Sequence, residues 1–300
     1  MVNVKELLLL LLAAVTAVFA IRWSVQFSRR MAEPRAVRTG VVETAIGFGT
    51  DFLDTLGIGS FATTTSLFKL LKKVADELIP GTLNVGHTLP SVAQAFIYVA
   101  IIEVDVRTLV VMIGASVIGA WFGAGIVARW PRRPIQIGMG IALLVAGTLF
   151  VMRNVDLFPP GGDSLALTGV RLWLGASINL LLGALMTLGI GLYAPCMIIV
   201  SLLGMNPIAA FPIMMGSCAF LLPVGSHRFL DRGRYDLRAA LGLTLGGVPA
   251  VLIAAFLVRS LPLEAVRWLV AVVVIYTAVA MLSSAWRERA VAPAAAAGRS

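Results

Sequence analysis

The five residues Thr55-Leu56-Gly57-Ile58-Gly59 recur as Thr187-Leu188-Gly189-Ile190-Gly191, 132 positions later. Each copy interrupts an apolar segment, Val42–Leu71 or Val170–Leu203, that is too long for one simple helix. In lipid every backbone N–H and C=O has to find a partner inside the protein, so a Gly-rich break at membrane depth belongs where protein or a watery cavity surrounds it. Paired interruptions in corresponding positions of two halves point to a transporter's binding site.

The rest of the chain supplies the membrane. Seven further apolar stretches each reach the roughly 17 residues a crossing needs: Leu7–Phe27, Thr82–Ile102, Thr108–Ala128, Ile135–Val151, Ile208–Val224, Ala239–Val258 and Val266–Ala285. Charged residues make up 13% of the chain, against about 25% in a soluble domain, and mean hydropathy is +0.94. The expected fold is therefore an all-α integral membrane protein. The net charge of +9 resides in loops between spans, which is the positive-inside bias rather than a nucleic-acid surface. Cys196 and Cys218 lie inside apolar segments, with no metal or disulfide spacing, and read as small packing residues. Leu7–Phe27 has two readings, a cleaved signal peptide or a retained helix. Lys5 and Glu6 cancel ahead of it while Arg29 and Arg30 follow, which favours a retained helix with its N-terminus outside.

More than the glycines repeats. Asp105-Val106-Arg107 and Asp236-Leu237-Arg238 each begin a span, 131 positions apart, and Arg129 and Arg259 end those spans. Gly86 and Gly216 lie in comparable places between break and Asp-x-Arg. The expected organisation is an N-terminal helix and basic linker (1–40), repeat 1 (41–155), an inter-repeat loop (156–169), repeat 2 (170–287) and a disordered Ala-rich tail (288–300).

Counting Lys and Arg tests topology. If all nine segments cross, the cytoplasmic side holds 15 of the 24 basic residues. If the two Gly-broken segments are re-entrant hairpins, that side gains Lys69, Lys72, Lys73, Arg129, Arg132 and Arg133 and loses Arg107, Arg153 and Arg171. The split becomes 18 inside to 6 outside. The second scheme fits the bias better. It gives seven spans with the C-terminus inside, and the odd number of crossings per repeat inverts the second copy.

After the first break comes Ser60-Phe61-Ala62-Thr63-Thr64-Thr65-Ser66. If a half-helix starts here, its first N–H groups lack intrahelical partners and its dipole favours an anion. The hydroxyls either add donors to a ligand or back-bond to carbonyls. Pro195, comfortable in a first helical turn, supports a second helix start after Gly191, where Tyr193 either lines a cavity or packs. His87, in Gly86-His87-Thr88, is a polar ring at depth, matched by Gly216-Ser217-Cys218. It either meets an anion or a proton, or makes a buried structural hydrogen bond. Asp51 and Asp54 precede the first break only, their counterparts being Gly183 and Met186. They either carry a coupling proton, pair with Lys69, or lie at the headgroups. His227 is expected in a cytoplasmic loop. No common hydrolase, metalloprotease or phosphate-loop signature occurs.

These residues resemble the sulfite exporter TauE/SafE family, also called the toluene-sulfonate uptake permease family. Its repeats carry a Gly-Ile-Gly-Gly-Gly-like break, a proline soon after, then Ala-x-Gly-Thr-Ser and a loop with Val-Asp-Trp/x-Arg. Gly57-Ile58-Gly59, Gly189-Ile190-Gly191, Pro195, Gly86-His87-Thr88, Gly216-Ser217-Cys218, Asp105–Arg107 and Asp236–Arg238 match over about Val41–Trp286. The chain departs from the pattern at Ser60-Phe61, Leu192-Tyr193, Thr64-Thr65, His87 and Cys218.

The resemblance implies a cofactor-free inner-membrane transporter, not an enzyme, most simply an exporter of sulfite or an organosulfonate. Carboxylate or thiosulfate is the alternative load. The expected site lies between the breaks: Gly57, Gly59, Ser60, Thr63, Thr64, His87 and Thr88 from one half, and Gly189, Gly191, Tyr193, Ser217 and Cys218 from the other. Asp51 and Asp54 are the candidates for proton or Na⁺ coupling, and a homo-oligomer stays open. A scaffold has no use for matched breaks, and an enzyme would need a nucleophile such as Cys218 beside His87.

Overall fold

A computed structural model describes residues 4–31, 40–189, 191–257 and 264–297. Residues 1–3, the 32–39 linker, Ile190 of the second break, residues 258–263 with Arg259, and residues 298–300 lie outside the described residues. The described residues are helical apart from turns and one isolated bridge. In order they form α1 (Val4–Met31), α2 (Val41–Thr55), α3 (Ser60–Leu70), α4 (Ile79–Gly86), α5 (Thr88–Ile101), α6 (Val106–Val127), α7 (Arg132–Asn154), α8 (Gly169–Met186), α9 (Tyr193–Leu202), α10 (Ala210–Arg232), α11 (Leu237–Leu257) and α12 (Glu264–Ala297).

Six of these helices, α1, α6, α7, α8, α10 and α11, are long and apolar enough to cross a membrane. The protein is a multi-pass membrane protein. Both Gly-broken segments turn back on themselves. At the first, Lys73, just beyond α3, approaches Glu43 at the start of α2 (3.7 Å). At the second, Arg171 at the start of α8 donates to the carbonyl of Leu203 beyond α9 (3.4 Å). With 11 and 10 residues, α3 and α9 are each about 15 Å long, half the hydrocarbon thickness.

The hairpins enter from opposite faces. Glu43 also lies 4.0 Å from Arg238, and Asp76, after α3, accepts from Lys69 (2.7 Å) and Gln136 (2.8 Å). The opposite face joins Lys5 to the Ile102 carbonyl (3.1 Å), the Asp105 amide to the Leu165 carbonyl (2.9 Å) and the Gly162 amide to the Met205 carbonyl (3.0 Å).

Helix pairing is reciprocal. α2 packs on α11 and α8 on α6; α7 packs on α12 and α5 on α10; α3 touches α12 and α9 touches α7. Glycine lets the first two pairs approach closely, the usual device where lipid offers no hydrophobic drive. A Cβ at Gly47 would run into the Leu243 backbone, and one at Gly183 into that of Ser116.

Three sequence expectations need correction. Thr82–Ile102 is not one helix: His87 separates α4 from α5. His227 lies within α10, not in a loop, because the helix runs on to a left-handed Gly233. The Ala-rich end does not start a disordered tail at 288, because α12 extends to Ala297; alanine is the best helix former.

Asp76 ties hairpin 1 to α7. Burial raises its pKa, but hydrogen bonds from Lys69 and Gln136 and the charges of Lys69 and Arg132 outweigh that and hold it below the ordinary carboxylate value. A depressed carboxylate pKa contributes stability above the unfolded value and loses it as pH falls through the folded one. Asp76→Asn should cost about 3 kcal/mol at neutral pH and progressively less as the medium turns acid, read by thermal unfolding in detergent. Single cysteines replacing exposed Lys72 and Asp163 should react with an impermeant thiol reagent from opposite sides of the membrane.

Candidate functional site

The first break is built by glycine. Gly57 (φ 84°) and Gly59 (φ 91°) occupy the left-handed region, which costs glycine little and other residues more. They turn the chain between the end of α2 and the start of α3. Gly189 (φ 102°) does the same after α8. The break's backbone groups are met by side chains from elsewhere. Arg153 donates to the Gly57 carbonyl (2.7 Å), Tyr98 to the Thr55 carbonyl (3.0 Å), and the Ser60 amide donates to the Asp54 carboxylate.

The two breaks face each other. Gly59, Gly191 and Tyr193 line two small cavities in common. One, about 20 Å³, is otherwise lined by Ile58, Ala62, Phe150 and their neighbours. The other, about 10 Å³, is lined also by Asp54, Ser60, Ser91 and Cys218. A Cβ at Gly59 or Gly191 would meet nothing within 4 Å. Each space has room for about one water molecule, so the protein is closed here around a narrow seam.

Two polar networks converge on this seam. Asp54 accepts from Gln94 (2.8 Å), Gln94 donates also to Thr55 (3.0 Å), and Tyr193 donates to the Gln94 carbonyl oxygen (2.7 Å). The chain from α2 through α5 to α9 thus joins the two halves. In the second network His87 sits between Asp51 (Nδ1 to Oδ1, 2.9 Å) and Thr64 (Nε2 to Oγ1, 3.0 Å).

One arrangement of hydrogens makes all the hydrogen bonds around His87 at once. Thr50 gives its hydroxyl hydrogen to the Ile46 carbonyl (2.8 Å), so Thr64 gives its own to Thr50 (3.0 Å). His87 Nε2 then has to donate to Thr64. One further proton lies between Nδ1 and Asp51. Whether the pair is imidazolium with carboxylate or imidazole with carboxylic acid, it is neutral overall.

Of the sequence candidates, Gly59, Ser60, Gly191, Tyr193, Cys218 and Asp54 line the cavities. Gly57 shapes the break, and Gly189 lies beside Thr65. Thr64, His87 and Asp51 form the adjoining network. Three candidates are not brought to the seam, because their hydroxyls are engaged elsewhere. Thr63 donates back to the Ser60 carbonyl (2.8 Å) and Thr88 to the Asn84 carbonyl (2.6 Å), which is the local competition expected of these residues. Ser217 accepts from Asn179 (3.1 Å) between α8 and α10. Lys69 pairs with Asp76 rather than Asp51 or Asp54. Cys218 lies against Met186 Sδ (3.6 Å) while both His87 nitrogens are engaged, so no nucleophile–base pair forms.

Sequence reading missed Gln94, Arg153, Tyr98, Thr65 and Ser91. Gln94 had a signal: a carboxamide within apolar α5 is expensive unless paired. Thr65 had only its place in the hydroxyl run; its Oγ1 is buried without a hydrogen-bond partner.

The family model described as Sulfite exporter TauE/SafE matches residues 2–150, the first half of the chain. The chain belongs to that family. The match runs from α1, which the motif resemblance had left out, into α7. No curated protein and no solved structure matches. Membership of TauE/SafE makes the chain a membrane transporter rather than an enzyme.

If the Asp54–Gln94–Tyr193 chain holds the halves together, Gln94→Leu should destabilise by about 2–3 kcal/mol, since it strands a carboxylate and a phenol. Tyr193→Phe should cost about 1 kcal/mol. Denaturant or thermal unfolding in detergent separates the two.

Proposed function

We propose that this TauE/SafE protein is an inner-membrane secondary transporter of a small sulfur-containing anion, sulfite or an organosulfonate, carried between the two Gly breaks. The observation behind this reading is that Gly59 and Gly191, at the starts of two half-length helices entering from opposite faces, share the same small cavities. Helix starts offer unpartnered amides and a dipole that attracts anions. Ser60 and Tyr193 line the seam, and Thr64 and His87 form the polar network beside it.

The reciprocal helix pairing supports two copies of one unit, inverted relative to each other, with the basic face of Lys72, Lys73 and Arg238 cytoplasmic. Alternating access follows from rocking one copy against the other, breaking the Gln94–Tyr193 link between halves and widening the seam to admit a solute. An interior-negative potential favours export of an anion by roughly 2.3 kcal/mol per charge per 100 mV. Uptake would need a coupled proton or Na⁺, with Asp51 and Asp54 as the candidates.

The test is ligand-induced thermal stabilisation of purified protein against sulfite, sulfonates, thiosulfate and small carboxylates. A sulfur oxyanion at a hundred times its Kd should stabilise by about 2.7 kcal/mol, and His87→Ala should weaken that effect. Stabilisation by carboxylates alone would transfer the proposal to another anion class. Stabilisation by no anion would remove it.

A further inference from the structure

The start of α3 is already occupied by a carboxyl group belonging to the chain. Asp54 accepts from the Ser60 amide with one oxygen and from Gln94 with the other. Asp51, one turn earlier, forms a neutral pair with His87. The hydrogen-bond donors recorded for Asp54 are themselves uncharged. Asp54 therefore holds the amide that an incoming anion would use, while the Arg153 guanidinium lies on the neighbouring Gly57 carbonyl.

An independent feature lies beside it. Ser91, on α5, is buried and lines the same cavity as Asp54, Ser60 and Gly191, and its hydroxyl makes no side-chain hydrogen bond among the described residues. The cavity thus contains an uncommitted donor next to an amide that a carboxylate has taken. Two anions at van der Waals separation in so small and buried a space repel strongly.

We infer that Asp54 is a tethered competitor for the transported anion, which reaches the Ser60 amide and the Ser91 hydroxyl only after Asp54 has bound a proton and left the helix start. This rests on reading the seam as the transport site. A proton from the loading side converts the carboxylate to the acid, and the anion takes its place. On the far side the anion leaves, the acid releases its proton, and the carboxylate returns to Ser60. For a monoanionic sulfonate no net charge crosses with the load; for dianionic sulfite one negative charge does. The other titratable or charged groups around Asp54 are Asp51 on α2, His87 between α4 and α5, Tyr98 on α5, Tyr193 and Cys196 on α9, Cys218 on α10, and Arg153, which reaches the break from α7. Of these, Asp51 and His87 are hydrogen-bonded to each other.

The experiment is calorimetric titration of the intact detergent-solubilised chain with ethanesulfonate, whose charge is fixed over the working range. Above the Asp54 titration, affinity should fall about tenfold per pH unit, as one proton per bound anion requires. Asp54→Asn should bind with no such slope. In weakly buffered solution the unaltered protein should take up about one proton per sulfonate bound, a measurement that decides the matter even where the variant fails to fold. A flat wild-type profile, a retained slope in Asp54→Asn, or no proton uptake would overturn the inference and leave anion transport standing. Absence of binding by any anion of the panel at any pH would sink the transport reading and this inference with it.

Discussion

Hydrocarbon does not hydrogen-bond, and every part of this structure answers to that constraint. A chain that stops being helical halfway through a membrane exposes amides and carbonyls with no intrahelical partner. Here the first break is closed by Arg153 on the Gly57 carbonyl, Tyr98 on the Thr55 carbonyl and Asp54 on the Ser60 amide. These groups come from α7, α5 and α2, so the break forms only when those helices are assembled around it. The interactions that make the interruption tolerable are therefore the ones that bring acid, amide and phenol to one seam.

Reciprocal pairing explains how two interruptions meet. When α2 packs on α11 and α8 on α6, each hairpin is gripped by a helix from the other half. Each of those helices starts at an Asp-x-Arg. The aspartate is the N-cap in both: Asp105 accepts from the Thr108 amide (2.8 Å) and Asp236 from the Ala239 amide (2.9 Å). Capping of this kind fixes where a helix starts. The start of α11 lies beside Glu43 at the mouth of hairpin 1, and the start of α6 lies beside Leu165 and Leu167, before hairpin 2. Two short polar motifs thus set the register in which each half holds the other.

Much of this was legible in the sequence because it concerns single residues with strong backbone demands. Gly57, Gly59 and Gly189 announce the breaks, Pro195 announces the start of α9, and the distribution of Lys69, Lys72 and Arg132 favours hairpins over full spans. What sequence could not show is which polar side chains find each other across long separations. Asp51 and His87 are 36 residues apart, and Gln94 and Tyr193 are 99 apart. Hydroxyls were the poorest guide. Thr63, Thr64 and Thr65 are adjacent, yet one bonds its own helix, one meets His87 and one has no hydroxyl partner among the described residues. Their order along the chain does not encode which face of α3 each occupies relative to the seam.

The two Gly-broken segments are both hairpins but differ in the charge they carry. The position equivalent to Asp51 is Gly183, and a side chain there would collide with the Ser116 backbone across the α8–α6 contact. In the first half the roles are exchanged. Asp51 carries the side chain, and Gly247 on α11 provides the room, since a Cβ at Gly247 would strike the Asp51 carboxylate. A carboxylate could not be copied into the second half without prising α8 from α6. The asymmetry is thus a packing consequence: close helix contact in one hairpin excludes charge, while a glycine opposite the other admits it. A transporter so built concentrates its titratable groups on one hairpin. The second hairpin contributes Gly191, Tyr193 and a surface for the first to close upon.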